Sequence, residues 1–340
     1  MTRIAYSGEP GAFAEDAVVA FAPTAEGVPV PGFREAFEAI VAGRLPTDPA
    51  VAPRIAYSGE PGAFAEDAAL SFAPSAATVP VAGFREAFEA VVAGRLPADP
   101  ADVEPIVAAA LPIENLVNGT VRETFDLLLE HDLVIVGEVI VPVRLCLAAL
   151  PGERLETIER VYSHIQALGQ AEAFLRSRPW TTMTTYNTAG AGRLIVERGE
   201  RAAAAVLSPR AAALFGLEIL AADIQSVPDN RTRFLILARP DAPPLARSGR
   251  ASAARRTTLV FAVRNEPGTL LRALRAFAER GVNLSTLESR PSRTEAWEYV
   301  FWTDADGDAE DEACRGALDD LRTVSTMVRV LGSYARADRG

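Results

Sequence analysis

The chain of 340 residues contains no lysine; all 34 of its basic residues are arginine. That absence excludes Schiff-base chemistry, covalent pyridoxal phosphate attachment and the lysine-bearing phosphate loop. Histidine is almost as scarce, with only His131 and His164, and the two cysteines, Cys146 and Cys314, lie far apart. Zinc sites built on several His or Cys ligands are therefore not expected, and the cysteines read as packing residues in a reducing compartment. The reading is of a chain with no metal and no cofactor. No apolar run reaches the ~18–20 residues of a spanning helix. The start, MTRIAYSGEP, has neither a basic stretch nor an apolar core behind it, so a soluble cytoplasmic protein with no membrane partner is expected. A net charge of −11 argues against nucleic acid as a partner. An anionic small substrate would have to be held by local features.

What is present begins with a repeat. Arg3 to Ala17 reads RIAYSGEPGAFAEDA, and Arg54 to Ala68 repeats it letter for letter; over 48 aligned positions the two copies differ at nine. Each copy reads as strand (RIAY), Gly/Pro loop (SGEPG) and helix from about Ala12 or Ala63. A second strand (VPV) and an amphipathic helix follow, with Phe33, Phe37, Ile40 and Val41 at helical spacing in the first copy. This is a βαβα unit of a parallel sheet. Only the second copy runs on into a further apolar strand, IVAAALPIEN. Residues 1–53 therefore read as a redundant duplicate, by tandem duplication or as an artefact of sequence assembly.

From residue 54 to about 239 strands and helices alternate. The segment LVIVGEVIVPVRLCLAAL reads as one strand long enough to cross between lobes, and IQALGQAEAFLRS as one helix. Residues 240–256, rich in Pro, Ala, Ser and Arg, read as a linker. Residues 257–336 follow the order βαββαβ, a ferredoxin-like pattern, with its second helix expected over 309–321.

Three places join a strand end, a small polar residue and a helix start: Ser58-Gly59-Glu60-Pro61-Gly62, Ser163-His164-Ile165-Gln166 and Asn187-Thr188-Ala189-Gly190. Exposed backbone N–H groups make such places anion sites without formal charge, and in a parallel sheet they gather at the carboxyl ends of the strands. Taken singly, each of these polar residues reads first as a plain helix cap. Together they suggest a cleft for a small anion. Glu114-Asn115 ends a buried-type strand, and Arg231-Thr232-Arg233-Phe234 opens another. His164 also reads as a core-edge histidine bonded to backbone.

Taken in order, the segments AYSGEPGAFAEDAA, LPIENLVNGTVRETFDLLLEHDLVIVGE, VYSHIQALGQAEAFL, TAGAG, LFGLEILAADIQSVPDNRTRF and ESRP resemble the prephenate dehydratase family with a C-terminal ACT regulatory domain. The resemblance covers about residues 54–335. It implies a two-lobed, type II periplasmic-binding-protein-like α/β catalytic domain over 54–239 and an ACT domain over 257–336. The implied reaction is the decarboxylating dehydration of prephenate to phenylpyruvate, a step of phenylalanine biosynthesis. The family's catalytic positions fall on Thr232, Ser163, Gln170 and Asn115. Substrate contacts are expected from Glu114, Tyr57, Ser58, Gly59, Thr188, Ala189, Gly190, Arg233 and Phe234. Allosteric phenylalanine is expected at Gly268, Thr269, Leu270, Leu271, Asn283, Leu284, Glu288, Ser289, Arg290 and Pro291, between ACT domains of a homodimer or homotetramer.

The chain departs from the family's pattern at Leu116, where a serine is usual, at Ile165 in place of proline, and at Leu145 in place of histidine. The stretch GRLPADPADVEPIVAA is also longer than usual. The family reading leaves arogenate dehydratase as an alternative, with the same chemistry on the amino-acid form of the substrate. A non-catalytic amino-acid-sensing binding protein is the alternative from another class. No chorismate mutase segment is seen ahead of the domain, so a bifunctional enzyme is not expected.

Overall fold

The computed structural model of the chain describes residues 3–7, 26–30, 52–96, 105–242, 245, 254–291 and 299–337. Met1–Ala52 and Pro53–Gly340 form two compact units. In the first, β1 (Arg3–Ser7) and β2 (Glu26–Val30) pair in parallel, Arg3 opposite Glu26. The two helices expected in this copy lie outside the described residues. In the second unit β3 (Arg54–Ser58) and β4 (Ala77–Val81) repeat that pairing, Arg54 opposite Ala77. Here β3 also pairs in parallel with β5 (Ile106–Asn115).

The first lobe is a sheet in the order β4-β3-β5-β13-β7, with β7 spanning Val134–Pro142 and β13 spanning Arg231–Ala238. A two-residue strand, β6 (Gly119–Thr120), turns back on the end of β5. Helix α1 (Phe64–Phe72) covers one face through Ala65, Ala68, Ala69 and Phe72. Helices α2 (Phe84–Ala93) and α3 (Arg122–Glu130) cover the other with Phe88, Val91, Phe125 and Leu128. Burial on both faces explains why IVAAAL reads as an unbroken apolar run.

The second lobe holds β8 (Cys146–Ala149), β9 (Arg160–Ser163), β10 (Thr181–Thr184), β11 (Ala203–Leu207) and β12 (Glu218–Ala221) in the order β10-β9-β11-β8-β12. Its helices are α4 (Ile165–Gln170), α5 (Glu172–Leu175), α6 (Thr188–Arg198) and α7 (Pro209–Leu214). The chain crosses between lobes twice, at 143–145 and 222–230, and the crossings run side by side. Val143 N–H donates to the Asn230 carbonyl at 2.8 Å, and Ile224 N–H donates to that of Leu145 at 3.0 Å.

The last domain is β14 (Arg255–Val263), α8 (Thr269–Ala278), β15 (Leu284–Pro291), β16 (Tyr299–Asp306), α9 (Glu312–Val324) and β17 (Met327–Ala335), with sheet order β15-β16-β14-β17. On β14, Leu259, Phe261 and Val263 face the two helices, while Val260 and Ala262 join the core of the first lobe. That shared core also contains Trp302, Leu331 and Tyr334, and Phe125 meets Trp302 edge-on at 4.8 Å between ring centroids. The seam is tight enough that a Cβ on Gly332 would overlap the Ile135 carbonyl oxygen.

Several boundaries differ from the sequence reading. The long crossing strand is two strands, because Pro142 ends the pairing of β7 and 143–145 bridge the lobes. The helix after Ser163 breaks at Ala171, where Ser226 N–H takes the Gln170 carbonyl at 2.7 Å. Helix α9 starts three residues late, because the Asp308 and Asp311 side chains bond nearby N–H groups and hold 308–311 in a turn. The expected linker ends earlier, since β14 begins at Arg255. Both cysteines are buried and free, as packing residues are. No helix among the described residues is long and apolar enough to cross a membrane.

With β3 seated beside β5, a chain beginning at Pro53 is expected to melt at the same temperature as the full chain. A lower midpoint in calorimetry would show that residues 1–52 contribute to this fold.

Candidate active site

The pairing of β13 with β5 sets the site. Thr232 lies opposite Asn115, and Arg233 lies opposite Glu114. Successive side chains of a strand point to opposite faces, so these two pairs look in opposite directions. Thr232 and Asn115 line a cavity of about 570 Å³ between the lobes. Glu114 and Arg233 line cavities on the far side, against the last domain. Phe234, two residues on from Thr232, faces the cleft again, and a bulge at Ile113 brings Pro112 opposite it. Glu114 and Arg233, expected at the substrate, therefore do not line the cleft, and strand alternation gives the reason.

Asn115 is fixed by its own loop. Its Oδ1 accepts from the N–H groups of Val117 at 3.1 Å and Asn118 at 2.9 Å. The amide nitrogen is thereby turned to Thr232, where Nδ2 donates to Oγ1 at 2.9 Å, and to Asn230 Oδ1 at 3.0 Å. With the Thr232 oxygen accepting from Asn115, its own proton is free to be donated elsewhere. Both residues are buried, at 7% and 8% exposure.

The second lobe supplies Gln170, Gln166, His164 and Thr188 to the same cavity. Burial holds the His164 imidazole below its usual pKa, so it is neutral at physiological pH. Ser163 does not line the cleft. It is fully buried, and its hydroxyl donates to the Val206 carbonyl at 2.6 Å, tying β9 to β11. Helix α6 opens toward the cleft at Thr188 and Ala189, and Asn187 caps it by accepting from Gly190 N–H at 2.6 Å. Gly190 itself is buried behind them.

A contiguous space of about 270 Å³ is lined by Ser58, Gly59, Thr188 and Ala189. Tyr57 is absent from it. Period-two alternation puts its ring in the core, fully buried, and burial pushes its phenol well above the ordinary pKa. Sequence reasoning did not single out Phe64, Phe84, Arg122 and Glu123, which complete the walls. The two phenylalanines sit where amphipathic helices begin and read as core. Of the family departures, Leu145 lines the cleft, Leu116 faces the other side of the sheet, and Ile165 is 61% exposed.

The repeated motif also latches the lobes. Tyr186 Oη donates to Glu60 at 2.8 Å and Arg193 pairs with Glu60 at 3.0 Å. Ser208 Oγ donates to the Gly62 carbonyl at 2.8 Å. Arg210 reaches Glu66 at 2.6 Å and Asp67 at 3.0 Å. Gly62 has φ +86°, and a Cβ there would lie 2.6 Å from Ala211 Cα. Burial works against the Glu66 carboxylate, yet Arg210, Gly62 N–H and Thr78 together hold its pKa below the usual value. Asp67 goes the other way, raised by burial despite Arg210.

In the last domain, Gly268, Thr269, Leu270 and Leu271 line a pocket of about 290 Å³ with Tyr299 and Phe301. The other predicted effector residues lie elsewhere. Asn283 bonds Asp306 at 2.8 Å, Leu284 packs on the domain's own core, and Ser289 and Pro291 are exposed on β15. Glu288 lines the cavity toward the first lobe, and Arg290 donates to the Arg122 carbonyl at 2.6 Å and pairs with Asp126 at 3.0 Å. Within one chain, β15 and the Gly268 loop do not form a single site.

Two α/β lobes joined by paired crossings, with polar side chains converging on the cleft, define an enzyme of the type II periplasmic-binding-protein-like architecture carrying an ACT domain. The family model "Prephenate dehydratase" matches residues 55–242, and that of the ACT domain matches 257–323. The chain belongs to the prephenate dehydratase family. It is 40% identical to an arogenate dehydratase/prephenate dehydratase of Arabidopsis thaliana, over 83% of this chain and 72% of that protein. It is 36% identical to a bifunctional chorismate mutase/prephenate dehydratase of Aquifex aeolicus, over 84% and 74%. The crystal structure of prephenate dehydratase from Arthrobacter aurescens in complex with L-Phe superposes with a TM-score of 0.73 at 35% identity, covering 84% of this chain and 91% of that one.

The latch sets a pH dependence. A carboxylate whose folded pKa is lowered stabilises the fold above its unfolded value, ~4.3 for Glu, and that contribution disappears as pH falls through the folded value. Glu66→Gln is expected to lower the melting temperature at pH 7, with the gap to the parent chain closing below about pH 4. A gap that persists unchanged at low pH in thermal melts would contradict this assignment.

Proposed function

We propose that this chain converts prephenate to phenylpyruvate, carbon dioxide and water. The observation that carries the reading is the Asn115–Thr232 pair, buried in the cleft with its hydroxyl proton free. Prephenate carries a ring carboxylate and a 4-hydroxyl on a cyclohexadiene. The bond from ring to carboxylate breaks, its electron pair enters the ring, and the 4-hydroxyl leaves as the ring becomes aromatic. One proton is consumed and water departs. Aromatisation drives the step, and the protein's task is to hold a dianion and assist the leaving group.

Thr232 donates its hydroxyl hydrogen to the departing oxygen. A threonine hydroxyl is a weak acid, so solvent supplies the proton that completes the water. Gln170, Gln166 and the Thr188 and Ala189 N–H groups at the start of α6 orient the carboxylates, with Arg122 as the cation on the wall. Phe64, Phe84 and Phe234 enclose the ring and exclude water. Ser163 acts by fixing β9 under the start of α4. Neutral His164 adds no further charge beside the substrate.

Arogenate has the same ring with an ammonium in place of the ketone. The Arabidopsis relative's name includes both activities, so assays with each substrate decide between them. Phenylalanine is the proposed effector, at the Gly268–Leu271 pocket completed by β15 of a second copy in a homodimer or homotetramer.

Thr232→Ala is expected to lower kcat by ~10²–10⁴-fold with KM little changed, read by ultraviolet detection of phenylpyruvate; turnover equal to that of the parent would remove Thr232 from the mechanism. Titration calorimetry of the full chain should show saturable phenylalanine binding. Gly268→Ala, which strains a φ of +82°, should weaken it, whereas absence of binding to the parent chain would leave the ACT domain a purely structural element.

A further inference from the structure

We propose that Arg233 is a positioning residue through which the ACT domain holds Thr232 in place, so that substitutions more than sixty residues away on the ACT sheet alter turnover. Arg233 is next to Thr232 on β13 and points the opposite way. Its guanidinium makes three contacts: Glu138 on β7 at 2.7 Å, Asp304 on β16 at 2.6 Å and the Tyr334 hydroxyl on β17 at 2.9 Å. Two of the three partners belong to the ACT domain. Arg256 on β14 donates to the same Glu138 oxygen at 2.7 Å, and Ala337 N–H donates to the other at 2.8 Å. Thr258 completes the ring by donating to Asp304 at 2.5 Å and meeting the Tyr334 hydroxyl at 2.6 Å.

Charge and burial make this group cooperative. Two guanidiniums face two carboxylates, and the side chains of Arg233, Glu138, Asp304 and Arg256 are 12%, 0%, 4% and 6% exposed. A buried ion group of this kind is neutral only while complete; removing one member leaves a charge without compensation. Cavities of about 430 Å³ and 220 Å³ flank it, both lined by Arg233. Side-chain packing is thus thin immediately around the guanidinium, and the polar contacts set where it sits. Any displacement of β16 or β17 pulls on Arg233, and the adjacent peptide carries Thr232 away from Asn115 Nδ2. The same set of contacts gives an effector bound to the ACT domain a route to the cleft.

The catalytic consequence rests on the dehydratase reading; the mechanical one does not. The test therefore has two arms, each applied to the full chain. Tyr334→Phe removes the hydroxyl that meets Arg233 and Thr258 without changing charge, and Asp304→Asn removes one carboxylate. Both are expected to lower kcat about tenfold, the worth of one hydrogen bond to a charged group, with KM for prephenate within twofold of the parent, and to blunt any response to phenylalanine. Both should also speed amide hydrogen exchange in the peptide spanning 230–238, read by mass spectrometry. Arg280→Ala, which breaks only the exposed pair with Asp320, should change neither. Parent-like exchange in 230–238 for folded Tyr334→Phe would overturn the mechanical link. Faster exchange with parent-like kcat would overturn its catalytic consequence. A parent chain that acts on neither prephenate nor arogenate would defeat the dehydratase reading, leaving the exchange arm to judge the link.

Discussion

The antiparallel pairing of β13 with β5 puts Thr232 against Asn115 and, one residue on, Arg233 against Glu114. A strand has two faces and each must be covered. Here one face closes the substrate cleft and the other meets the ACT sheet. A register slip of one residue would exchange them, sending a guanidinium into the cleft and a threonine into the domain seam. The register is held by seven residue pairs to β5 and by a second antiparallel partner, β7, on the other edge. The rest of the architecture builds on this strand: the lobes join through the crossing that feeds it, and the ACT domain packs behind it.

The seam is both oily and ionic. Phe125, Leu128, Ile135, Val260, Trp302 and Leu331 form an apolar core continuous between the first lobe and the ACT sheet. Burial of such side chains contributes ~1.5–3 kcal/mol each and is indifferent to small sliding motions. The ions of Arg233, Glu138, Arg256 and Asp304 are the opposite, adding little net stability and demanding one geometry. Burial opposes charging Asp304, yet Arg233 and Arg256 keep its carboxyl below the usual range. The apolar core holds the domains together, and the ions set their alignment.

Much of this was legible in the sequence because it is periodic or ordered. The βαββαβ order of the C-terminal domain and the preference for the second repeat beside IVAAALPIEN follow from local pattern, whereas Thr232, Asn115 and Gln170 come from the family resemblance. What failed was side-chain direction. PIEN and TRF motifs name four residues each or fewer, and a motif carries no record of which face each residue uses. Glu114, Arg233 and Tyr57 were assigned to the cleft on adjacency, and alternation placed them elsewhere. Ser163 ended a strand as expected but spends its hydroxyl on Val206. The repeated SGEPG proved to be two things at once, with Ser58 and Gly59 lining the cleft and Glu60 and Gly62 gripping the other lobe. Contacts such as Gly62 with Ala211 link residues far apart in the chain and leave no local trace.

The central claim is that Asn115 and Thr232 act as one unit, the amide holding the hydroxyl so that its proton faces the leaving group. A double-mutant cycle on kcat tests it most directly. With Thr232→Ala already in place, adding Asn115→Ala is predicted to cost almost nothing further, because the amide has lost the group it orients. Multiplicative losses, with the double variant slowed by the product of the two single factors, would contradict the account.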